Sequence, residues 1–327
     1  GPPCQGFSGI GHRRSYSVEK KQLPSNMLYQ DMAYIISHLM PKIFLFENVR
    51  GLLTSKWTKD GRKGEIWEDV FTTFEKLTNY NVSYQLIYAK DYGVPQNRPR
   101  VLLVGIRKDL NFVPKSDQGG AVSQGFLPEP CFGYPDIVDI LGDLEDPNYL
   151  NGGITSTYPS DSKNEIQNFL RRNPVTSVIA RKGDPITEHE YSKHKETIIQ
   201  KFQYMIENNG EIPDDMRTKK FAQRVLPKTW GTNGPSITAT SLPEDYVHYS
   251  QPRSLSVREW ARLQMFPDWY QFSGKRTTGG IRRAGNPREG LFDRELPKYT
   301  QIGNAVPVKL AFEVGKHFLK ILGNERE

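Results

Sequence analysis

Residues 42–46 read KIFLF and residues 100–106 read RVLLVGI. Runs like these have no polar face to turn to water, so they suit strands covered on both sides, as in a parallel sheet. SYQLIY at 83–88 predicts a further strand just ahead of the second run. Between them, Ile66, Trp67, Val70, Phe71, Phe74 and Leu77 recur at helical spacing, which predicts a helix over about 65–79 with these side chains inward. Upstream, Leu28, Met32, Ile35, Ile36 and Leu39 share one face of a predicted helix over about 27–40, capped by Ser25 or Asn26 and stopped by Pro41. Strand, helix, strand, strand is the edge of an open α/β sheet.

From about Phe112 the pattern changes. Residues 113–160 are rich in Pro, Gly and Asp, and 161–225 are polar with weak periodicity. Order returns in RSLSVREWARLQMF at 253–266, where Ser256 and Glu259 stand at capping-box spacing ahead of a helix running to Met265. Residues 273–300 read as a long Gly- and Arg-containing loop. Val306, Leu310, Val314, Phe318 and Leu322 then recur every fourth residue, and Gly323 ends that helix. The expected organisation is a catalytic part over 1–112, a smaller loop-rich domain over 113–295 and a C-terminal segment, 296–327, returning to the first domain.

Lys and Arg number 44 against 37 Asp and Glu, a formal charge of +7. That excess is either a solvated basic surface or the footprint of a polyanion such as nucleic acid. No apolar stretch approaches the roughly 18 residues of a membrane span. Two cysteines, Cys4 and Cys131, make no disulfide framework and fit a reducing cytoplasm. No C-x-x-C or H-x-x-x-H pair offers zinc ligands.

Three places carry chemistry. Cys4 lies in GPPCQGFSGIGHRR, with Pro2 and Pro3 stiffening its approach and Gly6, Gly9 and Gly11 freeing its exit. Such a cysteine is either a small buried hydrophobe or a thiol presented on a rim. Nearby His12, Arg13, Arg14, Lys20 and Lys21 favour the thiolate and suit phosphates. The glycines do not form a dinucleotide fingerprint, because Arg14 stands where the third glycine belongs. Glu47 directly follows IFLF, at the carboxyl end of a strand, where α/β sheets bind ligands. It is either a hydrogen-bonding cap or a functional acid. Arg98 and Arg100 of PQNRPR are two apart and share one face of an extended chain. They are either surface arginines or two guanidiniums converging on an anion or a carbonyl oxygen.

Together these stretches carry a resemblance. GPPCQGFS resembles the nucleophile motif of the DNA cytosine-C5 methyltransferases. ENV at 47–49 resembles their acid motif, and QNRPR at 96–100 matches their Q-x-R-x-R motif. RSLSVREWARLQMFPDW and QIGNAVPVKLA are similar to their two C-terminal motifs. The order and spacing agree over nearly the whole chain. The resemblance implies an α/β fold: the C-terminal half of a Rossmann-like methyltransferase sheet, plus a smaller, loop-rich target-recognition domain.

It also implies a function. A methyl group would pass from S-adenosylmethionine to C5 of a flipped cytosine in double-stranded DNA, leaving S-adenosylhomocysteine, in a bacterial restriction–modification system of the cytoplasm. Cys4 would attack C6, and Glu47 would hydrogen-bond ring N3 and the exocyclic amine. Arg100 would grip O2, and Arg98 would hold the nucleophile loop or a phosphate. Pro3, Leu28, Asn304, Ala305 and Val306 would touch the methyl donor. Gln5, Ser8, Arg13 and Arg14 would lie on DNA. The middle region would recognise the target through residues such as Arg171, Arg172, Arg181, Arg217, Lys219, Lys220 and Arg224. The 273–300 loop is either an added backbone contact or an insertion.

One family motif, F-x-G-x-G-G, does not occur in this sequence. Three explanations stand open: an upstream piece of the same protein, a separate N-terminal polypeptide that completes the cofactor site, or an inactive DNA-binding fragment. A cysteine hydrolase using Cys4 and His12 is the reading from a different class.

Overall fold

The computed structural model describes residues 26–114, 125–131, 133–217, 223–229, 236–238, 245–277 and 296–323. In chain order its elements are α1 (Leu28–Leu39), β1 (Ile43–Val49), α2 (Glu65–Glu75), β2 (Tyr80–Tyr88), β3 (Pro99–Arg107), α3 (Ile137–Leu141), α4 (Glu165–Arg171), α5 (Glu196–Glu207), β4 (Arg224–Val225), β5 (Tyr246–Val247), α6 (Val257–Arg262), α7 (Lys298–Asn304) and α8 (Val308–Ile321). They fall into two compact units. The first comprises 1–92, 98–131 and 311–327, and the second 93–97 and 132–310. Among the described residues no helix is long and apolar enough to cross a membrane.

The first unit is built on a sheet in the order β1-β3-β2, and both pairings are antiparallel. The parallel arrangement expected for KIFLF is therefore corrected. The doubly covered strand is the central one, β3, which buries every residue from Arg100 to Ile106. β1 instead alternates, with Phe44, Phe46 and Asn48 buried and their neighbours half-exposed. An apolar run does not by itself separate a central strand from a flanking one, because half-exposed Ile and Leu look the same in sequence.

α1 and α2 cover this sheet. Tyr29, Ala33 and Ile36 of α1 join Ile66, Trp67, Val70 and Phe74 of α2 against Phe44, Phe46, Val101 and Leu103. Phe44 stacks on Phe74 with ring centres 5.5 Å apart and meets Tyr80 edge-on at 5.1 Å. Each such ring taken from water contributes about 2–3 kcal/mol. The inward face predicted for α1 is corrected: Leu28, Ile35 and Leu39 are 39%, 52% and 75% exposed. Apolar residues surround this helix, so two stripes satisfy helical spacing, and packing selects the one holding small Ala33. The cap is corrected too, since Met27 occupies the N-cap without a side-chain bond. The helix ends at Met40 in the left-handed region (φ 48°), one residue before Pro41.

In the second unit α4 and α5 arise from the stretch whose periodicity is weak. Asn164 caps α4 by accepting a hydrogen bond from Gln167 N–H. α5 buries a narrow stripe, Phe202 and Met205, against Val247 of β5. The capping box on α6 forms as the sequence predicts, with Ser256 and Glu259 exchanging hydrogen bonds. That helix stops at Arg262, short of Met265, which adopts φ 59°. α7 begins at Lys298, inside the predicted loop. Residues 278–295 of that loop lie outside the described residues. α8 and its terminating Gly323 (φ 68°) match the fourfold pattern from Leu310 onward.

The register of β1 and β3 sets Gly105 opposite Phe44. A Cβ on Gly105 would fall inside the van der Waals radius of that ring, which neighbouring aromatics already hold. Gly105→Ala is expected to destabilise the first unit by about 1–3 kcal/mol, the usual cost of overpacking a core. A lowered denaturant midpoint at unchanged m-value is the measurement that checks it.

Candidate active site

Antiparallel pairing places Glu47 opposite Leu102 and Val49 opposite Arg100. Arg100 is two residues from Leu102, so its side chain shares a face with Glu47 on the neighbouring strand, within reach of a long side chain. The result is an ion pair with Arg100 Nε 2.6 Å from Glu47 Oε1. Arg100 Nη1 also donates to the Pro99 carbonyl at 2.8 Å. The guanidinium side chain is 10% exposed and the carboxylate side chain 29%. Arg100 is thus a fixed backing, and Glu47 presents a charge-assisted, oriented carboxylate that solvent and ligands can reach. Arg98 is buried just ahead of β3, its carbonyl accepting from Ala89 N–H at 3.0 Å. Asn48 points to the opposite face of β1, and its Oδ1 accepts from Val49 N–H at 2.9 Å. Pro3, Cys4, Gln5, Ser8, Arg13 and Arg14 lie outside the described residues.

Gln96 is the residue that sequence reasoning quoted without giving it work. It is fully buried in the second unit. Its Nε2 donates to Leu263 O and Gln264 Oε1, both at 2.8 Å, and its Oε1 accepts from Ile237 N–H at 3.2 Å. Gln264 Nε2 in turn donates to Ile302 O at 2.9 Å, and Gln264 O accepts from Val308 N–H at 3.0 Å. Two amides, each both donor and acceptor, therefore tie residue 237, the end of α6, and α7 with the start of α8. The available signal was a glutamine inside each of two motifs, QNRPR and RLQ.

A profile of C-5 cytosine-specific DNA methylases matches residues 1–320. The chain belongs to that family. Type II methyltransferase M.DdeI of Desulfomicrobium norvegicum is 28% identical over 95% of this chain and 69% of its own length. Type II methyltransferase M1.HphI of Haemophilus parahaemolyticus is 29% identical over 99% of this chain and 68% of its own. A crystal structure of a prophage-encoded DNA modification methyltransferase (E. coli) superposes with a TM-score of 0.64 at 22% identity. It covers 98% of this chain and 78% of that one, and it shares the α/β fold.

Methylases of this family use a methyl donor and act on DNA. Of the residues expected at the donor, Leu28 opens α1 and is 39% exposed. Asn304 closes α7 with its amide exposed, and Ala305 N–H donates to the carbonyls of Gln301 and Ile302.

The second unit of the methylase is held by buried charges. Arg262 donates to Asp143 Oδ1 at 2.5 Å and to Asp268 Oδ2 at 2.5 Å, with all three side chains out of water. Arg171 pairs with the same Asp143 at 2.5 Å, donates to Ser160 O, and lies 4.0 Å over the Tyr158 ring. The expectation that Arg171 faces DNA is corrected: it is a buried clamp. Arg253 grips Glu259 with both terminal nitrogens, at 2.8 and 2.6 Å. Burial opposes ionisation of Glu259, yet Arg253 holds its carboxyl well below the usual range.

His248 sits 3.5 Å from Glu259, and its Nδ1 accepts from the Ser250 and Gln251 N–H groups. Burial, reinforced by Arg253, lowers the His248 pKa to about 3. Burial lowers His189 as well. In the unfolded chain His248 takes a proton near the ordinary histidine value of about 6.5. Between that value and about 3 the unfolded state binds the extra proton, so stability falls as pH falls through this window. His248→Gln is expected to make the decline shallower by up to about 1.4 kcal/mol per pH unit. Denaturant titrations of both proteins at a series of pH values between about 7 and 4 read that slope.

Proposed function

We propose that this chain methylates C5 of cytosine in double-stranded DNA as part of a bacterial restriction–modification system, in the cytoplasm, with S-adenosylmethionine as donor. The observation that carries the reading is the Glu47–Arg100 pair, 2.6 Å apart on one face of β1 and β3. Carbon 5 of cytosine is a poor nucleophile, and the ring must be activated before it can accept a methyl group. In the proposed sequence Cys4 thiolate adds to C6, forming an S–C bond and pushing the C5–C6 electron pair onto C5. The addition needs charge drawn toward N3. Glu47 is proposed to take up a proton from solvent as the base binds, to share it with N3 in a hydrogen bond while accepting one from the exocyclic amine, and to recover its charge when the thiolate leaves.

Arg100, behind Glu47, keeps the carboxylate in place and is proposed to grip O2 of the bound base. Arg98 holds the nucleophile segment or a phosphate. S-adenosylmethionine, when bound, supplies an electrophilic methyl carbon, and Leu28, Asn304, Ala305 and Val306, with Pro3, would hold it. After transfer, a base takes the C5 proton, the electron pair re-forms the C5–C6 double bond and the thiolate leaves. The target base reacts only outside the stack, so the duplex gives up a few kcal/mol to release it. Gln5, Ser8, Arg13 and Arg14 are proposed to contact that opened DNA.

The test is transfer of a labelled methyl group to unmethylated duplex DNA by protein expressed from its complete gene. Cys4→Ser is expected to abolish incorporation. Glu47→Gln, which keeps a partner for Arg100, should lower the rate by at least about 10²-fold, the scale of a lost acid catalyst, with DNA binding unchanged. Full activity in either variant overturns the mechanism.

A further inference from the structure

The second unit carries an exposed element that the methyl-transfer residues do not use. After α4 the chain doubles back in a hairpin. Arg172 bridges Ile179 in antiparallel register, and Asn173 N–H donates to Val178 O at 2.9 Å. The tip is stiff: Asn173 Oδ1 accepts from both Val175 and Thr176 N–H, and Ser177 N–H donates to Asn173 O. Its base is anchored, because Arg171 is locked between Asp143 and Tyr158 and donates to Ala180 O. Yet every residue from 172 to 178 is exposed, with Val175 90% and Val178 63% in water.

A rigid loop that holds apolar side chains out gains nothing for its own fold. Its charge is one-sided as well. The stretch RRNPVTSVIARKG, 171–183, holds Arg172, Arg181 and Lys182 exposed and no acidic residue. Two flanking carboxylates accept from its backbone, Asp184 from Arg181 N–H and Asp161 from Lys182 N–H.

From this we propose that the 172–179 hairpin enters the major groove of the target duplex, with Val175 and Thr176 at base edges and Arg172, Arg181 and Lys182 on flanking phosphates. The inference rests on the reading of the chain as a DNA methylase and names the element that reads its sequence. A groove about 12 Å wide admits a two-stranded ribbon, and apolar Val and Thr methyl groups suit thymine methyls. Asn173 is committed to its own turn and serves as scaffold.

Two variants separate the roles. Wild-type protein is incubated with a randomised duplex library, bound DNA is sequenced, and affinity for the enriched duplex is followed over a range of salt. Arg181→Ala with Lys182→Ala should weaken binding about tenfold for all sequences alike and reduce the salt slope by about one per lost phosphate contact. Val175→Ala with Thr176→Ala should keep the salt slope and alter the enriched sequence. These side chains are exposed, and unchanged thermal unfolding confirms that the fold is intact. If both variants retain wild-type affinity, salt slope and enriched sequence, the hairpin assignment is overturned while the methylase reading stands. If wild-type protein neither binds nor enriches duplex DNA, the methylase reading fails and the hairpin assignment with it.

Discussion

The candidate site depends on the antiparallel register of β1 against β3. Opposing Val49 to Arg100 sets Glu47 and Arg100 on one face, diagonally across the ladder. A slip of one residue would send one of them to the other side of the sheet. The hydrophobic halves of the same strands resist that slip, because Phe44 and Phe46 would leave the core they share with Phe74. The same side chains that stabilise the fold therefore hold an acid against a base, and the position of the ion pair is inherited from packing rather than from flexible surface residues.

The second unit uses a different logic. Its central helix, α6, buries all six residues, including Arg258, Glu259 and Arg262. Burying charges is expensive unless each finds partners. Asp143 answers Arg171 and Arg262 together, Asp268 answers Arg262, and Glu259 answers Arg253. Such arrays contribute little net stability over a packed apolar core, but they tolerate few alternative pairings. Loop-rich chain with small apolar clusters, such as Leu144, Tyr158 and Ile186, gains definition from them.

Much of the first unit was legible in the sequence. The apolar runs and helical spacings located β1, α2, β2 and β3, and the R-x-R motif was read at the entry to the strand whose second residue, Arg100, meets Glu47. What periodicity left unspecified was which of two apolar stripes of α1 packs inward, and which strand lies in the middle. Those are decided by neighbours far away in the chain. In the second unit Ser256 and Glu259 announced α6 because a capping box is local. α4 and α5 were hidden, since each buries only a few residues in polar surroundings. The fate of Arg171 was equally hidden, because nothing in RR at 171–172 tells which arginine finds Asp143, 28 residues away. Gln96 escaped for the same reason: its partners stand 141 to 168 positions downstream.

Arg262 reaches Asp143 across 119 residues of chain. Neither charge is tolerable in a dry interior alone, so this helix has no stable half-assembled form. Ribosomal order matters here, because the aspartate and its nearer partner Arg171 both emerge long before Arg262. Closure of so long a loop is entropically slow, which makes the junction of Asp143, Arg262 and Asp268 a late event in folding. Until it closes, Asp143 and Asp268 lack the one guanidinium that joins them, and the second unit is without its most deeply buried polar junction.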